Sequence, residues 1–315
     1  MDILLTGRID AADRDAWLRA LRGAAPEARW WSDVDIDVPR ESIVAAVVAN
    51  PAPGVLAGFP RLRLVQSLWA GVEGLLADAT VPTQVPLARM VDPMMNAAMA
   101  ETALWAVLSL HRGFFDYAAQ QHDGVWHQRA QRRAESVSVL LLGFGQMGRA
   151  VALRLAAQGY RVQAWHATPG THAAPQDVAV HAGPEALEHL LPAAQIVVNL
   201  LPMTPATRGL LDARLFAALP RGASVVNLAR GAHVVEADLL AALDSGQLHR
   251  AVLDVFHEEP LAPGHAFWQH PRVTVLPHVA ALTDLDSAAQ VVAANLRALR
   301  DGAPLAHRVD RARGY

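Results

Sequence analysis

The sequence predicts an α/β protein of two doubly wound, parallel-sheet domains with a cleft between them, and three observations carry that expectation. A chain of 315 residues exceeds the size at which a single core keeps growing, which favours two domains. Short apolar runs alternate with amphipathic stretches throughout, the rhythm of strand–helix–strand units and hence of parallel sheets. Midway along, a glycine-spaced loop separates an apolar run from an amphipathic one, where such folds turn from strand to helix.

The elements follow in order. Residues 2–5, 43–48 and 62–68 read as strands and residues 13–21 as a helix, together a small flavodoxin-like α/β domain. Residues 96–121 carry Ala, Leu, Trp, Val and Phe at spacings of three and four, the pattern of one long helix crossing between domains. After a polar stretch at 128–135, strand runs recur at 137–142, 161–165, 196–200, 224–227, 251–255 and 273–276, which predicts a complete Rossmann-like domain. Residues 284–300 are helical again and return to the first domain. The expected division is therefore a discontinuous substrate domain, 1–97 with 286–315, and a dinucleotide-binding domain, 98–285.

Composition narrows the function classes. Hydrophobic residues make up 52% and charged ones 18%, an ordinary globular balance. A net charge of −3 gives no long-range pull toward nucleic acid or an anionic membrane. With no cysteine, disulfides, thiolate metal sites and a cysteine nucleophile are excluded, and a cytoplasmic setting fits. Met1 to Gly7 reads as a first strand, since it lacks the basic flank and long apolar core of a signal segment. The most apolar long stretch, 97–110, is interrupted by Glu101 and is too short to span a bilayer.

Gly143-Phe144-Gly145-Gln146-Met147-Gly148 follows the strand 137–142 and opens a helix that Gly159 ends. Glycines there permit a tight turn and close backbone approach, so that a pyrophosphate meets N–H groups at the positive helix end. An acid at the end of the next strand, about 20 residues on, would hold the ribose hydroxyls of NAD. Here Trp165 is followed by His166, and no acid appears before Asp177. NADP(H) is thus favoured and NAD(H) possible, with His166, Thr168 or Thr171 placed to meet a 2′-phosphate.

Three later strands end in chemistry-bearing residues, where ligands of open α/β sheets bind. Arg230 lies in Asn227-Leu228-Ala229-Arg230-Gly231, Glu259 in Asp254-Val255-Phe256-His257-Glu258-Glu259-Pro260, and His278 after Pro277. Reduction of a 2-keto acid creates negative charge on the carbonyl oxygen, which calls for a proton donor there and a cation beside the carboxylate. His278 and Arg230 supply these, and Glu259 holds the histidine tautomer and stabilises the imidazolium. Taken singly, each has an ordinary reading: one of 14 histidines, a surface cation, a loop acid. Their joint placement favours catalysis.

With these motifs, together with Leu201-Pro202-Met203-Thr204-Pro205-Ala206-Thr207-Arg208-Gly209, the chain resembles the D-isomer-specific 2-hydroxyacid dehydrogenases over nearly its whole length. It is most similar to their glyoxylate/hydroxypyruvate reductase A branch, through His233-Val234-Val235-Glu236, residues 239–246 and the tail Val309 to Tyr315. The resemblance implies an NADPH-preferring homodimer acting on glyoxylate and hydroxypyruvate, with domain closure over the substrate. It implies that Arg230 binds substrate, that Glu259 pairs with His278, and that His278 is the acid and base. It also implies backbone N–H donors at Ala70 and Gly71, with Trp69 beside them. Cofactor contacts are implied at Gly143, Gly145, Gln146, Met147, Gly148, His166, Thr168, Leu201, Pro202, Thr207, Leu228, Ala229, Arg230, Asp254, His278 and Ala280. The sequence departs from the family pattern at Trp69, where glycine is common, at Glu73, where aspartate is common, and after residue 165, where basic residues are usual. His233 and His257 fall outside the family's acid/base position and are set aside as peripheral. The rival reading is a non-catalytic NAD(P)-sensing protein on the same fold, and a second is a dehydrogenase for a different D-2-hydroxy acid.

Overall fold

The computed structural model describes residues 1–167, 175 and 177–315. They divide into two compact units, residues 1–95 with 283–315 and residues 96–282. In the first unit β1 (Asp2–Gly7), β2 (Arg29–Ser32), β3 (Ile43–Ala49), β4 (Leu64–Ser67) and β5 (Leu87–Ala88) form a parallel sheet in the order β2-β1-β3-β4-β5. That is the doubly wound order of flavodoxin-like domains. β3 is buried over most of its length, as a strand covered on both faces must be. Helices α1 (Ala11–Ala24) and α2 (Glu73–Ala77) lie in this unit, and Asp10 caps α1 by accepting from the Asp13 N–H at 2.8 Å. The C-terminal helix, Leu285–Asp301, is tied to β4 by Asn295 Nδ2, which donates to the buried Gln66 Oε1 at 2.7 Å.

The second unit begins within α3 (Pro93–Arg112) and continues through α4 (Phe114–His122). The expected single helix over 96–121 is thus two, because Gly113 takes a left-handed φ of +71° and breaks it. Then follow β6 (Ser138–Leu142), α5 (Gln146–Ala156), β7 (Arg161–His166), β8 (Val178–Ala182), α6 (Pro184–Leu190), β9 (Ile196–Asn199) and α7 (Ala213–Ala218). The series closes with β10 (Ala223–Asn227), α8 (Glu236–Asp244), β11 (Leu248–Leu253), α9 (Ala266–Gln269) and β12 (Val273–Val275). The sheet is parallel, in the order β12-β11-β10-β9-β6-β7-β8. Alternate residues of β6 feed opposite layers: Leu140 and Leu142 pack on one side, Val139 and Leu141 on the other. The strand order reverses at β6, so the loops after β6 and β9 face each other at the switch point where open sheets bind ligands.

β2, β5 and β8 are strands that the pattern of apolar runs does not announce. Each is short and lies at or next to a sheet edge, where fewer apolar residues are needed. Among the described residues no helix is long and apolar enough to cross a membrane, and no group of His, Cys, Asp and Glu is placed to hold a metal.

Candidate active site

The glycine loop is built for close approach. Gly143 has φ +105°, and a Cβ there would lie 2.8 Å from the Leu200 carbonyl oxygen of the facing loop. At Gly148 a Cβ would lie 2.1 Å from the Gly143 oxygen, so only glycine lets the first turn of α5 sit on the turn that precedes it. Gly145, the residue before α5, has open space where a Cβ would project, and no side chain caps the helix start. A narrow turn, an open outer face and first-turn amides without a side-chain cap fit a dinucleotide pyrophosphate.

Across the switch point Leu201 is buried and Pro202 half-buried. The Thr207 hydroxyl donates to the Pro202 carbonyl at 2.8 Å and accepts from the Thr204 N–H at 2.9 Å. Thr207 is 4% exposed, so its side chain shapes this loop from within. His166 ends β7, and its carbonyl accepts from the Gly183 N–H at 3.0 Å. Thr168 and Thr171 lie outside the described residues.

Glu259 and His278 meet after β11 and β12. His278 Nδ1 lies 2.6 Å from Glu259 Oε2, and the second carboxylate oxygen accepts from the Phe256 N–H at 2.9 Å. With Nδ1 engaged, Nε2 is the nitrogen turned outward; among the described residues it has no partner, and the side chain is 52% exposed. The backbone aims this ring. His278 has φ +55°, rare for a side-chain-bearing residue, and its N–H donates to the Asp254 carbonyl at 2.9 Å. Asp254 is buried and spends its carboxylate on the N–H groups of Val279 and Ala280, at 2.8 and 3.0 Å. Burial raises the Asp254 carboxyl above its ordinary value, opposed by those two N–H bonds and by the nearby His278. Ala280 is also held from α3, where the Thr102 hydroxyl donates to its carbonyl at 2.9 Å.

Arg230 follows β10, after the buried Leu228 and Ala229, and its Nη1 donates to the Ala229 carbonyl at 2.7 Å. The next residue, Gly231, is pressed on the backbone of Phe256, where a Cβ would come 1.9 Å from the carbonyl carbon. The loop that carries Arg230 therefore abuts the loop that orients Glu259. In the first unit Trp69, Ala70 and Gly71 follow β4. The Trp69 N–H donates to Ser67 Oγ at 3.0 Å, and its ring packs edge-to-face on Trp17 with centroids 6.4 Å apart. Among the described residues the N–H groups of Ala70 and Gly71 have no hydrogen-bond partner.

The sequence reading had no place for Asn199 and Asn227, which are fully buried at the ends of adjacent strands and bonded to each other at 2.9 Å. Their signal was a single polar residue closing each of two apolar runs, Ile196-Val197-Val198-Asn199 and Ser224-Val225-Val226-Asn227.

A dinucleotide loop at the switch point of a doubly wound sheet, with a histidine–carboxylate pair and an arginine at the same strand ends, defines a nicotinamide-dependent dehydrogenase. Residues 104–280 match the family model of the D-isomer specific 2-hydroxyacid dehydrogenase, NAD binding domain. A glyoxylate/hydroxypyruvate reductase A of Serratia proteamaculans is 41% identical over 308 residues, 96% of each chain. A D-isomer specific 2-hydroxyacid dehydrogenase of Xanthobacter autotrophicus, solved with NADPH and MES, superposes with a TM-score of 0.93 at 38% identity, over 100% of this chain and 99% of that one. The NADPH-dependent glyoxylate/hydroxypyruvate reductase of Sinorhizobium meliloti, solved with NADP and sulfate, gives 0.91 at 34% identity, over 100% and 99%. The chain belongs to the D-isomer specific 2-hydroxyacid dehydrogenase family.

Proposed function

We propose that the chain reduces glyoxylate, hydroxypyruvate and related small 2-keto acids to 2-hydroxy acids with NADPH. The observation that carries the reading is the 2.6 Å contact of His278 Nδ1 with Glu259, which leaves Nε2 as the outward nitrogen. When bound, the nicotinamide supplies the hydride to the 2-carbon. His278, as the imidazolium that Glu259 stabilises, gives its Nε2 proton to the carbonyl oxygen and is left neutral with its proton on Nδ1, where Glu259 accepts the hydrogen bond. Arg230 offers its planar fork to the acid, and the partnerless N–H groups of Ala70 and Gly71 are assigned to the substrate carboxylate. The cofactor choice is supported by the lack of an acid at the end of β7 and by the NADPH and NADP carried by the solved relatives.

The setting proposed is cytoplasmic and the assembly a homodimer. Exposed apolar side chains in the second unit, Trp105, Phe114, Val125 and Trp126, the last 93% exposed, support a protein partner. Initial rates with glyoxylate and hydroxypyruvate, each with NADPH and NADH at equal concentration, test the reading. Faster turnover with NADPH is expected. Faster turnover with NADH would overturn the cofactor choice, and no turnover with either would sink the substrate class. Sedimentation velocity tests the dimer, and a concentration-independent monomer would refute it.

A further inference from the structure

His233 is fully buried on the loop that carries Arg230, and the hydrogen bonds it shares with Asn199 and Pro202 fix where its proton sits. The Leu201 N–H, which can only donate, points at Asn199 Oδ1 at 3.2 Å, so the other atom of that amide is the NH₂ group. The Ala229 N–H likewise points at Asn227 Oδ1 at 3.2 Å, and Asn227 Nδ2 donates to the Arg230 carbonyl at 2.9 Å. Asn199 Nδ2 then donates to Asn227 Oδ1 at 2.9 Å and faces His233 Nδ1 at 2.8 Å. His233 Nδ1 must therefore accept. The proton sits on Nε2, which lies 3.3 Å from the Pro202 carbonyl, an atom that can only accept. No amide flip or alternative tautomer satisfies this set.

We propose that His233 is a positioning residue: as the neutral Nε2–H tautomer it ties the loop after β9 to the loop after β10. It thereby fixes the backbone of Arg230 together with the Leu201–Pro202 turn assigned to the dinucleotide. The inference rests on the roles given to Arg230 and to that turn under the proposed function. Two neighbours hold the far side of the same segment. His257 Nε2 donates to the Val234 carbonyl at 2.8 Å, and Gly231 abuts Phe256. Arg230 thus sits on a backbone gripped from both flanks, and His233 supplies the grip on the cofactor side.

His233→Leu keeps the bulk and removes the hydrogen bonds to Asn199 and Pro202, while His233→Gln offers an acceptor toward Asn199 and a donor toward Pro202. Three readouts are taken on each: the NADPH Kd by protein fluorescence, the glyoxylate KM against kcat, and Tm. The leucine variant is expected to raise KM by about tenfold and Kd severalfold with kcat changed less, and glutamine to recover most of both. A folded leucine variant with wild-type KM and Kd overturns the proposal, as does glutamine behaving no better than leucine. Should leucine abolish folding, Asn199→Ala cuts the same tie from its other end, with the same rise expected and wild-type values overturning it. In the wild-type protein, ¹⁵N histidine spectra assigned by difference should give His233 as Nε2–H, and an imidazolium or Nδ1–H form overturns it. If wild-type protein turns over no 2-keto acid, the functional reading fails alone, because the NADPH Kd and the tautomer still judge the tie.

Discussion

At the carboxyl ends of the seven-stranded sheet His278 meets Glu259 at 2.6 Å; at the amino ends His249 meets Asp116 at 3.4 Å. Both are histidine–carboxylate pairs, yet their surroundings give them different work. Asp116 is shared, since Arg129 also bonds it and Arg250 lies 3.7 Å away with its guanidinium over the Phe115 ring. Burial lowers His249 below its ordinary range; Asp116 opposes this, while Arg250 and Arg129 push the same way. Glu259 has, among the described residues, one ion-pair partner, and that partner keeps one ring nitrogen turned outward. The residue types are shared; the number of cations around the carboxylate and the outward nitrogen separate a brace from the pair proposed for acid–base work.

The largest test of that contrast is paired removal of the two histidines. His278→Ala is expected to lower kcat for 2-keto acid reduction by roughly 10²- to 10⁴-fold. His249→Ala should leave kcat within about twofold, as a brace remote from the chemistry would. Equal losses from both variants would erase the distinction. Next comes Arg230→Lys, which keeps the charge but loses the planar fork. A drop in kcat/KM of about 10- to 100-fold is expected from the loss of a charge-assisted bond, and an unchanged value would remove Arg230 from the substrate.

A smaller effect is read in stability. Gly231→Ala drives a methyl into the Phe256 backbone and should cost about 1–3 kcal/mol, a Tm drop of roughly 2–12 °C for a unit this size. A wild-type Tm would mean that the two loops part easily, against the contact described. The least effect belongs to the brace. The folded-state value of His249 lies below its unfolded value, so the unfolded chain takes up the proton first. Stability is therefore lost as pH falls through about 6.5 and is unaffected well above it. His249→Gln should reduce the slope of Tm between about pH 7.5 and 5.5, and an identical slope would exclude His249 as a source of it.

How much of this was legible in the sequence follows from the range of the interactions. Gly143, Gly145 and Gly148 announce themselves because strand, turn and helix are contiguous, and Gly143 and Gly148 each have a local steric reason. Arg230, Glu259 and His278 were readable because each follows an apolar run by a few residues, and the doubly wound topology brings such ends together. Gly113 was in plain view, yet the apolar periodicity ran through it, and one left-handed residue outweighed the pattern. The Asn199–Asn227–His233 network was hidden for another reason. Its bonds span 28 and 34 residues, and each member alone is an unremarkable polar residue. The left-handed backbone of His278 was equally silent, because what holds it is Asp254, a residue on a different strand end.

That backbone has a consequence for how such a pocket can change. The His278 ring is half-exposed and owes its direction to the chain beneath it, pinned by the Asp254 carbonyl and by the carboxylate's grip on Val279 and Ala280. Aim and enclosure are thus set by different atoms. Side chains around the ring can be exchanged for larger, smaller or more polar ones without turning it from that direction. One scaffold can in this way be retailored to other substrates while the ring proposed as proton donor stays where it is.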